Sequence, residues 1–369
     1  MKIIIEFLKK EVILFIFLFL LAIVAILYPY EIVNYPSFVD WRTIIALTGL
    51  LIITTGLKES GYFNVFSRKV LRRLKSERSL SIFLILFSVL LSSFLTNDIT
   101  LFIVIPLTVS IQNLIKNDIS KLIIFEAISV NVGSALTPIG NPQNLFLWHK
   151  WNISFIIFII KILPLVSLLL TILLIFVWIV FPNKKIKFSE GINNDRTQKK
   201  ALFTLSIIML IVYMLSLEVK LAHLVLLLVF ILYFIFYRKV LLKMDWLLLL
   251  LFIVIFIDFY VISTIPIISE GMNTLNLSSA GNVFLLSILT SQLVSNVPAS
   301  VLVSKFSHNW LAITYGVNIA GNGLAIASLA NVIALRMVKS KKIWLNFHKY
   351  SIPYFLITGG IAYILFFIL

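Results

Sequence analysis

Seven stretches of the chain read as unbroken apolar runs: 12–28, 41–57, 153–181, 201–217, 221–237, 246–264 and 352–369. A helix of about 20 such residues covers the hydrocarbon of a bilayer. None of the runs has a heptad seam or a polar face, so each predicts a membrane helix. The first continues into Tyr28-Pro29-Tyr30 with no small-residue cleavage site, which makes it a span rather than a removed leader. Four further apolar segments are interrupted by polar and helix-breaking residues. They are 80–115, broken at Thr96-Asn97-Asp98; 122–148, broken across Gly133 to Asn144; 281–305, broken at Ser295-Asn296-Val297-Pro298; and 310–335, broken across Asn318 to Asn331. Irregular backbone at membrane depth is tolerated only where protein or a water-filled cavity surrounds it. The chemistry is therefore expected in these four segments.

Composition agrees with a polytopic, all-α membrane protein. Hydrophobic residues make up 61% of the 369 and charged residues 12%, against about 25% charged in soluble domains. The absence of cysteine excludes a disulfide scaffold, thiolate metal sites and cysteine nucleophiles. The formal charge of +16 is explained by topology. With 80–115 and 281–305 as re-entrant hairpins, nine segments each cross once. With the N-terminus inside, 26 of the 31 Lys and Arg fall on one side. Four (Arg42, Lys150, Lys220, Lys305) fall on the other, and Lys161 lies within a span. That asymmetry is the positive-inside signal and predicts an internal N-terminus and an external C-terminus. Full crossing by both hairpins would leave the parity unchanged. The basic run Arg68-Lys69…Arg72-Arg73…Lys75…Arg78 reads as a segment lying on anionic lipid. No nucleic-acid fold or aromatic platform accompanies it, so no nucleic-acid partner is expected.

The chain also resembles itself. Leu95-Thr96-Asn97-Asp98, then Val130-Asn131-Val132-Gly133-Ser134 and Asn144, is echoed by Val294-Ser295-Asn296-Val297, then Val317-Asn318-Ile319-Ala320-Gly321 and Asn331. A hydroxyl–Asn pair marks each tip, and in each half a second Asn is followed by a third 13 residues on. Five crossings separate the tips, so the second hairpin must enter from the opposite face. The expected organisation is a first repeat, 1–182, a cytoplasmic linker, 183–200, and an inverted second repeat, 201–369. Inverted repeats with discontinuous helices are the architecture of secondary transporters, with the site near the midplane. A broken helix exposes N–H groups at one half-helix end and carbonyls at the other, suiting an anion and a cation respectively.

Candidate ligands follow from the breaks. Thr96, Asn97, Thr100, Ser295 and Asn296 surround the tips, where short amides and hydroxyls can coordinate an ion, bond an oxyanion or cap the restarting helix. In 137–144, Thr137, Pro138, Asn141 and Asn144 fall in a stretch no continuous helix survives. Asn131, Gly133, Asn318, Asn322, Ser328 and Asn331 complete the set. Asp98 is the acidic residue at the first tip. A carboxylate in a span costs about 2.5–3.5 kcal/mol on insertion scales and is a functional candidate by default, for Na⁺, for a proton or as a cap. Glu126, possible at an interface, and Asp258, with Lys161 or His223 as potential partners, are further coupling candidates. The four His show no ligand spacing, so no metal centre is expected.

At these motifs the chain resembles the ion-transporter superfamily of citrate-transporter-like, divalent-anion/sodium symporter and arsenite-permease proteins. LTNDIT (95–100) resembles the first hairpin of arsenite permeases. GSALTPIGNPQN (133–144) is similar to the superfamily's Thr-Pro-x-Gly-x-Pro-x-Asn break. Ser295-Asn296 matches the first two residues of its second Ser-Asn-Thr motif, and GNGLAIASLAN (321–331) is similar to the second broken helix of arsenite permeases. The resemblance covers about 40–369. It implies a homodimer in which a transport domain moves against a scaffold, elevator fashion, with Na⁺ near Asn97, Gly133, Asn296 and Asn318. The chain departs from the pattern at Asp98 and Val297, which stand where the motif has Thr, and in having two spans before its first hairpin against three before its second. The expected function is secondary active transport of a small anion or oxyanion coupled to Na⁺ or H⁺. Arsenite or antimonite efflux and Na⁺/H⁺ antiport are the alternatives. A membrane enzyme lacks its motifs, and a passive channel is disfavoured because channels repeat by rotation.

Overall fold

The computed structural model describes residues 11–63, 65, 74, 76–115, 120–185, 199–338 and 342–369. Among these residues the regular structure is helical apart from one isolated bridge. Most of the 183–200 linker and most of the 68–78 basic run lie outside the described residues.

The first half contributes α1 (Val12–Leu27), α2 (Trp41–Glu59), α3 (Glu77–Phe94), α4 (Asn97–Ile115), α5 (Ser120–Ser134), α6 (Pro142–Trp151) and α7 (Phe155–Val180). The second contributes α8 (Lys200–Glu218), α9 (Ala222–Phe236), α10 (Trp246–Thr264), α11 (Ala280–Val294), α12 (Asn296–Val303), α13 (Trp310–Ala320), α14 (Leu329–Arg336) and α15 (Ile343–Tyr363), which runs on as a π-turn over Ile364–Ile368. Among the described residues six helices are long and apolar enough to cross a membrane. A seventh would be α1 together with the short helices of 29–38, bent by 118°. The nine-crossing expectation differs from this in particular places. α9 has 15 residues, short of a full span. α3, expected as one arm of a hairpin, is itself of spanning length. The last helix begins at Ile343 rather than 352.

All four expected breaks are present. α3 gives way to α4 at Leu95-Thr96, and α11 to α12 at Ser295, whose φ of 78° is left-handed. α5 and α6 are separated by 135–141, and α13 and α14 by 321–328, which holds one 3-10 turn at Ala325–Ala327. In each half the most extensive helix pairing joins the first hairpin arm to the first part of the broken helix: α3 with α5, and α11 with α13.

A second cluster, α2 with α8 and α9, stands beside this assembly. Tyr213 of α8 packs over Gly49 of α2, where a Cβ would come 2.1 Å from its ring, and its hydroxyl donates to the Ile45 carbonyl at 2.7 Å. α7 and α9 keep Ile160, Trp178, Leu227 and Ile235 exposed, the outward apolar surface a lipid-facing helix needs.

Candidate functional site

The broken helices α5/α6 and α13/α14 meet through their asparagines, and the meeting follows one rule in both directions. Asn131 Nδ2 donates to Asn331 Oδ1 at 2.8 Å, and Asn318 Nδ2 donates to Asn144 Oδ1 at 2.7 Å. The first Asn of each half thus bonds the Asn lying 13 residues after its counterpart. Ten residues on from each first Asn stand Asn141 and Ser328. Asn141 Nδ2 donates to Asn318 Oδ1 at 3.1 Å, and Ser328 Oγ donates to Asn131 Oδ1 at 3.0 Å. The circuit closes on backbone three residues past each first Asn: Asn144 donates to the Ser134 carbonyl at 3.4 Å and Asn331 to that of Gly321 at 2.8 Å. All six side chains are buried. An amide in such a place costs about 1–3 kcal/mol if left unpaired, and here each finds its partner across the two halves.

The hairpins are tied on by a second recurring set. The N–H of Asn97 donates to the Gly140 carbonyl at 3.0 Å, and Ser295 Oγ donates to that of Ala327 at 3.4 Å; both acceptors lie nine residues past the first Asn. Four residues before each tip Asn, Ser93 Oγ donates to the Gly133 carbonyl at 3.0 Å and Gln292 Nε2 to the Ala320 carbonyl at 2.8 Å. Thr137 Oγ1 donates back to the Ser93 carbonyl, as the N–H of Leu324 donates to Gln292 Oε1. Ser93 and Gln292 were not among the sequence candidates. Their common position four residues before the two tip asparagines is the signal that would have found them.

Gly133 owes its identity to packing: a Cβ there would fall 2.2 Å from the Val89 carbonyl oxygen of α3. Pro138 lies in the turn between α5 and α6, and Asn141 caps α6 by accepting from the N–H of Asn144. Asn97 Oδ1 accepts from the N–H of Asp98 at 3.0 Å, and the Asn296 amide lies against Gly321.

Besides Glu126 Oε2, five buried oxygens in this assembly have no hydrogen-bond partner among the described residues: Thr96 Oγ1, Asp98 Oδ1, Thr100 Oγ1, Gln143 Oε1 and Asn322 Oδ1. Three of them belong to the first hairpin tip, within the first turn of α4 and the residue before it. A hard cation is bound by such oxygens, one of them a carboxylate. Gln143, like Ser93 and Gln292, was not among the sequence candidates.

The other two carboxylates sit elsewhere. Glu126, for which the sequence allows an interfacial place, is instead fully buried in α5 and accepts from Thr108 of α4. Asp258 is fully buried in α10 with neither carboxylate oxygen hydrogen-bonded among the described residues. The suggested pairing with Lys161 or His223 does not form. Both of those side chains are exposed, on the outer faces of α7 and α9. No cluster of His, Cys, Asp and Glu able to hold a metal occurs among the described residues.

Apolar helices of spanning length, two interrupted hairpins and two broken helices joined through buried amides define a multi-pass transporter of the cell membrane. A sequence profile of the citrate transporter family matches residues 1–334, and the chain belongs to that family. It is 38% identical over 341 residues, 92% of this chain and 91% of the relative, to the inner membrane protein YbiR of Escherichia coli. It is 39% identical over 361 residues, 95% of each chain, to the uncharacterized transporter MJ0456 of Methanocaldococcus jannaschii. A shorter match of 27% identity over 136 residues, 37% of this chain and 24% of the relative, links it to the putative transporter arsB of Dictyostelium discoideum.

Proposed function

We propose that the protein is a secondary active transporter that moves a small anion or oxyanion, coupled to Na⁺ or H⁺, by alternating access between two inverted halves. The observation that carries this reading is the reciprocal asparagine circuit. It joins Asn131 and Asn144 to Asn331 and Asn318 by bonds that recur at the same sequence offsets in both halves. Two elements related in this way, entering from opposite faces, make a central site that can open to either side.

The first hairpin tip is the coupling site in this reading. Thr96, Asp98 and Thr100 supply oxygens that nothing else uses. A buried carboxylate there takes either a sodium ion or a proton to become neutral before the hairpin moves. Glu126 and Asp258 are the secondary candidates for a proton. The anion is met by the half-helix N-terminus of α6, which begins at Pro142, and by the Asn322 turn opposite it. The hairpins and broken helices are bonded into one body, and α2, α8 and α9 pack as another. That division supports an elevator movement of the first against the second. The exposed apolar face of α9 is available for contact with a second copy in a homodimer.

The test is transport by the purified protein in liposomes. The panel is citrate, succinate, sulfate, phosphate and arsenite, each under an imposed Na⁺ or pH gradient. Accumulation of one anion under one gradient supports the reading. Movement of no solute under either gradient overturns it. The resemblance to the putative transporter arsB favours one second reading, arsenite or antimonite efflux. Expression in a sensitive host would raise resistance in that case and leave it unchanged otherwise.

A further inference from the structure

At the Lys/Arg-poor end of the bundle, with no hairpin-tip residue in its lining, a cavity of about 420 Å³ opens between α6 and the α2–α8–α9 cluster. Of the four cations assigned to that face, two line this one cavity: Arg42 at the start of α2 and Lys220 in the α8–α9 turn. The imidazoles of His149 and His223 border it as well. Trp148, 3% exposed, is also in its wall, and its indole N–H is buried without a hydrogen-bond partner among the described residues. Two cations with no carboxylate within ion-pair distance among the described residues, lining one cleft, make a site for negative oxygen.

One acidic side chain is already part of the lining. Glu218 lies at its edge and accepts from the N–H of Phe155 at 2.9 Å, at the N-terminus of α7. α2 and α9 begin at the same cleft, adding the partial positive charge of their N-termini; α6 and α8 end there and offset part of it. The nearby Asp40 is engaged in capping α2 through the N–H of Thr43. Arg42 donates to Asn152 Oδ1 at 3.5 Å, a long bond that a better acceptor would displace. Among the described residues neither Arg42 nor Lys220 is in an ion pair.

We propose that this cleft binds the anionic oxygens of a small oxyanion, phosphate or carboxylate in class, between Arg42 and Lys220, with Trp148 in the wall. The occupant bridges α6, which carries Asn144, to the neighbouring cluster. The site is separate from the hairpin tips and does not depend on the transport reading, because its test needs no gradient. Dissolved anions and lipid headgroups present the same oxygens, and the experiment separates them.

The test measures binding to the purified full chain by thermal shift and tryptophan fluorescence. Inorganic phosphate and citrate are the probes in detergent, and nanodiscs of phosphatidylglycerol are compared with nanodiscs of phosphatidylcholine. The expected result is saturable stabilisation that the double variant Arg42→Gln/Lys220→Asn weakens at least about tenfold, the loss of a charge-assisted hydrogen bond. Lys220 has a φ of 62°, a conformation Asn tolerates, and both side chains are exposed, so the variant should fold. Lys220→Asn alone should give a smaller weakening in the same direction. Protection by phosphatidylglycerol and not by phosphate or citrate assigns the site to a lipid headgroup. Equal protection of wild type and double variant, or no protection by any probe, overturns the proposal.

Discussion

The two hairpins are built to the same bonding plan and differ in what the plan leaves over. Around the first tip, Thr96, Asp98 and Thr100 hold buried oxygens without partners; the matching positions of the second are Ser295, Val297 and Ala299. Ser295 is hydrogen-bonded, and the other two have nothing to offer an ion. The same contrast continues into the broken helices, where Gln143 is matched by Ala330, and Asn322 by Ala135. The amides and hydroxyls that recur across the broken helices bond one another, whereas four of the five open oxygens, all but that of Thr96, belong to residues with no polar counterpart in the other half. Recurrence therefore marks the frame, and departure from it marks the positions available to a ligand.

This division can be broken experimentally. The largest effect should come from the frame. Asn131→Ala removes donors to Asn331 and Gly321 and strips Ser328 of its acceptor. At about 1–3 kcal/mol for each buried group left unpaired, a clear drop in thermal midpoint in detergent and loss of any transport are expected. Asn318→Ala should behave alike, since it occupies the same place in the circuit. A result in which only one of the two is damaging would sink the idea of reciprocity.

A smaller structural effect with a sharper functional one is expected at the open positions. Asp98→Val copies the second tip onto the first. Folding should be retained or slightly improved, because a buried carboxylate is removed, while dependence of transport on the driving Na⁺ or pH gradient should disappear. Asp98→Asn separates the ions: proton dependence that survives in this variant rules the carboxylate out as carrier. The smallest effect is expected for Ser328→Asn, which gives the second half the residue of the first. With a donor to Asn131 retained, stability measured by thermal shift should change by no more than the roughly 0.5–1.5 kcal/mol of one net hydrogen bond.

The breaks and the 13-residue asparagine spacing were legible in the sequence, because proline, glycine and clustered amides in an apolar span interrupt the helix wherever they fall. Which asparagine meets which was not legible. Asn131 could have bonded Asn144 within its own half, and only the packing of α5 against α14 sends it to Asn331 instead. The carbonyls of Ser134, Gly140, Gly321 and Ala327 were equally invisible, since backbone acceptors leave no mark in residue type. The sequence left an interfacial place open for Glu126. Its burial is set by α4 folding back over α5, a tertiary fact. Span length misled at α3 and α9 for a related reason: apolarity says that a segment is surrounded by apolar matter, and both lipid and neighbouring helices satisfy that.

The reciprocal circuit also dictates an order of assembly. During synthesis the first half enters the bilayer with the Asn131 amide and the Asn144 side-chain oxygen unanswered, since Asn331 and Asn318 are made 200 and 174 residues later. The first broken helix therefore cannot reach its final bonding until almost the whole chain has emerged. In the interval those groups must be held by water, by lipid headgroups or by the insertion machinery. A truncated chain ending before Asn318 would leave them unanswered permanently, so the two halves mature together or not at all.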